Sequence, residues 1–195
     1  MSNSLEPKRL WEVEQKFRVT DCDAIRLGLQ SLAARYARTE NHCDTYLRHP
    51  CRDFRATDEA LRIRTLDGCS VVTYKGPRLQ GPVKIRPEIE LPLSDGSEGS
   101  WLQIWTSLGF EVVAQVKKRR DVYELTYCDT PFIVTLDHVE DLGDYCEIER
   151  IIDDLDLRDS AQTQIGELAQ HLQVTEIERR SYLGLLLDSR AHPSK

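Results

Sequence analysis

Apolar and polar residues alternate along much of this chain. The alternation predicts strands at residues 10–19, 41–47, 60–66, 69–75, 83–91, 111–118, 120–127, 131–137 and 145–151. Four stretches switch to helical spacing. Ile25, Leu29, Leu32, Ala33 and Tyr36 form the first, with Asp21 or Asp23 as its cap. Trp101, Ile104, Trp105 and Leu108 form the second, ended by Gly109. Ala161, Ile165, Leu168, Ala169 and Leu172 form the third, after the cap candidates Asp159 and Ser160. Ser181 to Asp188 reads as a short C-terminal helix. All four stripes are expected to be core. Asp67-Gly68 between two strands is a hairpin signal, because both central residues of the favoured turn need positive φ. Residues 48–58, 76–82, 94–99 and the tail from Ser189 read as loops.

The polar half of the alternation is unusually charged. Glu12, Glu14 and Lys16 share one face of the first strand, because successive strand side chains point to opposite sides. Arg62 and Arg64 share a face with the sign reversed. Lys84, Arg86, Glu88 and Glu90 alternate with Val83, Ile85, Ile89 and Leu91. Lys117, Lys118, Arg119 and Arg120 put cations on both faces, so parity leaves that register open. Lys75 ends one strand, and Asp137, Glu147 and Glu149 return to carboxylates. Rows of charge are costly to desolvate unless counter-charges, a metal or a ligand compensate them. One such strand is a solvent face; so many imply a shared polar interior.

Strands interrupted by helices, with short connections late in the chain, indicate an α+β fold with antiparallel neighbours. Helices packed outside a curved sheet would leave the alternate, charged positions pointing inward. A closed barrel of about eight or nine strands has room for side chains and one small ligand. The 195 residues suit a single domain, 1–195, with its core at about 8–188 and a flexible tail at 189–195.

Composition narrows the partners. A net charge of −7 argues against non-specific binding to nucleic acid or anionic lipid, so any cationic cavity is local. No apolar stretch approaches a bilayer span, and Met1 to Arg9 lacks a signal-peptide core, so a cytoplasmic location is expected. The six cysteines include no C-x-x-C pair and read as reduced thiols. His42, Cys43, His49 and Cys51 match no common zinc spacing. Phosphate-loop, dinucleotide and nucleophile-elbow motifs are all missing from the sequence. Cations suit phosphate oxygens, and carboxylates tolerate that anion when a divalent ion lies between. The pattern therefore points to a metal-dependent polyphosphate site, where positioning and charge neutralisation do the catalysis.

The same residues resemble the CYTH, or triphosphate tunnel metalloenzyme, superfamily. Glu12-x-Glu14-x-Lys16 is similar to its E-x-E-x-K signature. Asp44-Thr45-Tyr46, Leu61-Arg62-Ile63-Arg64, Thr73-Tyr74-Lys75-Gly76-Pro77, Arg86-x-Glu88-x-Glu90 and Lys118-x-Arg120-x-x-Tyr123 follow in the family's order. Leu136-Asp137, Glu147-x-Glu149 and Arg180-Ser181-Tyr182 complete the set. The resemblance implies a closed antiparallel β tunnel around a triphosphate. It implies that Lys118 and Arg120 face inward, with Lys117 and Arg119 outward. Glu12, Glu14, Glu147 and Glu149 would hold Mg2+ or Mn2+, assisted by Asp137 and by Glu88 or Glu90. Lys16, Arg62, Arg64, Lys75, Lys84, Arg86, Lys118, Arg120 and Arg180 would grip phosphate. Glu12, Glu14, Lys16 and Glu149 are the implied catalytic residues.

The superfamily includes triphosphatases and class IV adenylyl cyclases. Those cyclases resemble one another in a His-Phe pair upstream of E-x-E-x-K; here the stretch is Glu6-Pro7-Lys8-Arg9-Leu10-Trp11. That departure favours hydrolysis of a triphosphate (tripolyphosphate, ATP or thiamine triphosphate). Asp44-Thr45-Tyr46 and Arg180-Ser181-Tyr182-Leu183 resemble the cyclase branch, which keeps cyclic AMP formation as the alternative. A binding module without turnover is the third reading, disfavoured by the full set of carboxylates. The resemblance is also compatible with a homodimer.

Overall fold

The computed structural model describes residues 11–77 and 88–191. Eight strands are present there: β1 (Trp11–Val19), β2 (Arg35–Arg48), β3 (Ala60–Leu66), β4 (Cys69–Lys75), β5 (Glu88–Pro92), β6 (Glu111–Tyr127), β7 (Thr130–Val139) and β8 (Gly143–Ile152). The helices are α1 (Cys22–Ser31), α2 (Phe54–Thr57), α3 (Glu98–Ser107), α4 (Arg158–His171) and α5 (Tyr182–Ala191), with a 3-10 turn at Leu155–Leu157. The strands form one antiparallel sheet in the order β1-β8-β7-β6-β2-β3-β4-β5. The α+β expectation therefore holds. The closed barrel does not follow from hydrogen bonding, because among the described residues β1 and β5 end the order and do not pair.

The chain divides into two compact units. Among the described residues, the first comprises 11–38, Asp121–Asp137 and Asp144–Arg179; the second comprises 39–77, 88–120, His138–Gly143 and 180–191.

In the first unit, Phe17, Val134, Cys146 and Ile148 of the sheet pack with Ile25 and Leu29 of α1 and Ile165 and Leu168 of α4. Ile165 and Leu168 are fully buried, as helical spacing predicts for a stripe on a sheet. Phe17, Cys146 and Ile148 have parity opposite to Lys16, Glu147 and Glu149, so helices cover the apolar face and leave the charged face uncovered by them. Asp21 resolves the choice of cap, its Oδ1 accepting from Asp23 and Ala24 backbone N–H groups at 3.0 Å. The helix ends earlier than its stripe implies. Ala33 turns left-handed at φ 54°, and Tyr36 belongs to β2. Helix α4 begins at Arg158 behind the 3-10 turn, so Asp159 and Ser160 lie inside it and do not cap it.

In the second unit, the predicted hairpin forms at Asp67 and Gly68, with φ of 46° and 92° between β3 and β4. Replacing Gly68 by Ala should lower stability by about 1 kcal/mol, read from urea unfolding, because a Cβ strains this conformation. Gly109 ends α3 as expected, at φ 90°, but the stripe before it is not core. No α3 residue is buried, and Ile104 and Leu108 are 50% and 65% exposed. Helical period reports which residues share a face, not whether anything covers that face.

One further correction concerns β6, a single 17-residue strand where two were expected. Four successive cations at 117–120 do not interrupt it, because a strand sends alternate side chains to opposite faces.

Candidate functional site

The first unit carries the carboxylates. Strands β1 and β8 pair so that Glu14 lies opposite Glu149 and Lys16 opposite Glu147, while Glu12 faces Ile151. Directly opposed residues share a face with Cβ atoms about 4.5–5.5 Å apart, so Glu14 and Glu149 form a like-charged cross-strand pair. Lys16 is buried, and burial presses its ammonium below the ordinary lysine value. Glu147, Glu14, Glu178 and Asp137 act against that and favour the charged form. The Lys16 Nζ also stands 6.0 Å from the centre of the buried Tyr145 ring. Asp137 is 1% exposed. Glu178 went unrecognised in the sequence because it lies in no periodic segment. It arrives through the chain after α4, where its N–H donates to the Lys16 carbonyl at 2.9 Å.

A groove of about 600 Å³ lies in the same unit, and Glu149 is part of its wall. Its apolar surface comes from residues such as Leu32, Phe132, Ile133 and Ile151; Arg35, Glu124 and Thr126 add polar edges. Arg35 and Glu124 form an ion pair there. Along β7 one face runs Ile133, Thr135, Asp137, and along β8 it runs Ile151, Glu149, Glu147. Both strands pass from apolar to charged.

The second unit carries the cations. Arg64 lies opposite Asp44 and Arg62 opposite Tyr46 across β2 and β3. Arg64 donates to both carboxylate oxygens of Asp44, each bond 2.7 Å. Arg62 Nη1 donates to Asp44 Oδ2 at 3.2 Å and to the Tyr46 hydroxyl at 3.4 Å. Two guanidiniums therefore share one carboxylate, and the buried Arg62 Nε has no hydrogen-bond partner. Burial alone would raise the Asp44 pKa, but the Arg64 bonds and the Arg62, Arg64 and Lys118 charges hold it below the usual carboxylate range.

Lys118 is buried on β6 with Lys117 and Arg119 exposed on either side, and Arg120 is half-buried. Lys118 Nζ lies 5.2 Å from the Tyr182 ring centre. Farther along the sheet, Lys75 pairs with Glu88 at 2.9 Å, and Thr73 donates to Glu90 at 2.9 Å. The β4–β5 register puts Glu88 and Glu90 on one face with Lys75 and Thr73, so parity does not separate the two carboxylates. Arg180 Nη1 meets Asp188 Oδ2 at 3.5 Å and is half exposed. Lys84 and Arg86 lie outside the described residues.

The row Glu40, His42, Asp44, Tyr46 on β2 extends this buried polar face. Glu40 was missed because the strand begins at Arg35, six residues before the alternation at 41 signals it; His42 falls inside the predicted strand, but the sequence tests it only against zinc spacing. His42 Nε2 and Glu40 Oε2 are 2.7 Å apart. Burial, together with the charges of Lys118, Arg64 and Arg120, lowers the His42 pKa to about 4, against a raising hydrogen bond from Glu40. A neutral buried imidazole contributes stability that is complete above its unfolded value of 6.5 and is lost as pH falls toward 4. Wild type should thus lose roughly 3 kcal/mol more than His42→Gln over that window, measured by urea unfolding at successive pH values.

Among the described residues, no group of three or more His, Cys, Asp or Glu side chains gathers into a ready metal cage. The opposed Glu14 and Glu149 are hard oxygen donors, two carboxylates from rigid strands. That share suits Mg2+, which characteristically takes one or two carboxylates and completes its shell with water and substrate phosphates.

The CYTH domain family model matches residues 10–182. The chain is 35% identical over 176 residues to "Putative adenylate cyclase MJ0240" of Methanocaldococcus jannaschii, covering 89% of this chain and 97% of that protein. It is 30% identical over 192 residues to "Adenylate cyclase CyaB" of Aeromonas hydrophila, covering 94% and 95% respectively. The solved structure of the PH1819 protein from Pyrococcus horikoshii OT3 superposes with a TM-score of 0.79 at 38% identity, covering 92% of this chain and all of that one. With residues 10–182 of its 195 matched by that model, the chain belongs to the CYTH family.

Proposed function

We propose that this protein hydrolyses a triphosphate with the help of Mg2+ or Mn2+. The observation that carries the reading is the sharing of one buried carboxylate, Asp44, by Arg62 and Arg64. A buried excess of positive charge is costly unless an anion completes it, and guanidinium forks match phosphate oxygens in pairs. Lys118, Arg120, Lys75 and Arg180 would add phosphate contacts, as would Lys84 and Arg86. In the first unit, Glu14 and Glu149 would hold the divalent ion, with Glu12, Glu147 and Asp137 assisting. The ion, when bound, supplies charge neutralisation at the transferred phosphoryl group. Lys16 would keep its ammonium among the carboxylates and meet a phosphate oxygen from there. The groove beside Glu149 would take the organic part of the substrate.

Cyclic AMP formation from ATP is the second reading, favoured by the names of the two relatives above. The same cations and carboxylates serve both reactions. Incubation with tripolyphosphate and with ATP, each with Mg2+ or Mn2+, followed by chromatography of the products, tests the proposal. Orthophosphate release supports hydrolysis, cyclic AMP with pyrophosphate replaces it by cyclisation, and intact substrates refute both. The groove makes its own prediction. Ile133→Ala should raise KM for ATP by about 5–10-fold through lost apolar contact and leave KM for tripolyphosphate unchanged in steady-state assays.

A further inference from the structure

Glu40 and His42 belong to no role assigned above, yet both are buried on the face of β2 that carries Asp44 and Tyr46. Nε2 of His42 is engaged by Glu40 at 2.7 Å, whereas Nδ1 is buried with no hydrogen-bond partner. An ionised carboxylate only accepts, so Nε2 carries the proton to Glu40 and Nδ1 is left with an unused lone pair. The side chain is 4% exposed, and an unmet polar nitrogen is costly there. The charges that act on it are Glu40 on its own strand, Lys118 and Arg120 on β6, and Arg64 on β3.

We propose that His42 is a further phosphate-contacting residue, which takes a proton on Nδ1 from solvent when the phosphate chain binds and donates it to a phosphate oxygen. The proposal rests on the phosphate-binding reading of the Arg62, Arg64 and Lys118 cluster. Burial, and after it three nearby cations, keep the imidazole neutral in the free protein. A polyanion seated among them reverses the sign of that field, and an opposite charge close by moves a titrating group by about 1–3 pH units. Glu40 then stabilises the imidazolium from the other nitrogen, as a carboxylate orients and supports a catalytic histidine. The proton balance is explicit: one proton leaves solvent, one N–H forms on Nδ1, and no other bond changes.

The test is calorimetric titration of the metal-free protein with tripolyphosphate in EDTA, at pH 5.5 and 7.5, in buffers of different ionisation enthalpy. Using wild type and His42→Gln side by side cancels protons lost by the ligand itself. At pH 5.5 wild type should take up roughly 0.2–0.9 of a proton more than the variant. Wild-type affinity should gain up to about twentyfold relative to the variant between pH 7.5 and 5.5. Equal proton counts and parallel pH dependence would overturn the role of His42 while leaving the phosphate site standing. Failure of wild type to bind would overturn the phosphate site as well. Should the variant not fold, ring-nitrogen NMR of wild type keeps the question open to refutation. Addition of tripolyphosphate at pH 5.5 should protonate Nδ1, and unmoved ring-nitrogen shifts with bound ligand would contradict the proposal.

Discussion

Replacing Glu14 by Gln should reduce metal-dependent turnover by at least about 100-fold while leaving the unfolding transition near that of wild type. The side chain is exposed on β1, so the amide costs little in packing. Its loss of charge relieves repulsion from Glu149 directly opposite, which offsets the loss of one of four carboxylates that favour the Lys16 ammonium. What disappears is one of the two opposed oxygen donors available to a divalent ion. The decisive comparison is kcat across a Mg2+ series for the two proteins. A variant that keeps wild-type kcat and wild-type Mg2+ dependence would remove Glu14 from the metal site.

Removing Asp44 should act on stability instead. Asp44→Ala leaves the Arg62 and Arg64 guanidiniums without the carboxylate they share, one of them buried and the other half-buried. Breaking a buried pair from one side costs about 3–5 kcal/mol, because the remaining charge is stranded. The same logic predicts a rescue. Tripolyphosphate should stabilise the variant more than the wild type, since an added anion restores the missing counter-charge and binding to the folded state raises stability by mass action. Thermal unfolding with and without tripolyphosphate measures both effects. A variant as stable as wild type, with no extra response to the anion, would show that the two arginines do not depend on a counter-charge.

The charged faces of β1, β3 and β8 were legible because a strand has a strict period of two, so Glu14, Lys16, Arg62, Arg64, Glu147 and Glu149 sort themselves by parity alone. The α4 stripe was legible for the equivalent helical reason. The α3 stripe has the same kind of pattern and lies exposed, because period carries no information about what packs on it. Glu178 was invisible because an irregular segment delivers it to Lys16 across about 160 residues of chain. Glu40 was hidden by the early start of β2, whose first residues continue a helical spacing through Tyr36 although Ala33 breaks the helix. Closure of the sheet is likewise beyond any periodicity, since it depends on strand tilt and stagger accumulated over the whole sheet.

The most direct measurement is 31P NMR of tripolyphosphate incubated with the protein, in the presence of Mg2+ and again with the ion chelated. Growth of orthophosphate and pyrophosphate resonances only when magnesium is present is the expected result. An unchanged tripolyphosphate spectrum under both conditions, at enzyme and substrate concentrations where binding is saturated, would contradict the claim that these opposed charges are built to cleave a phosphate chain.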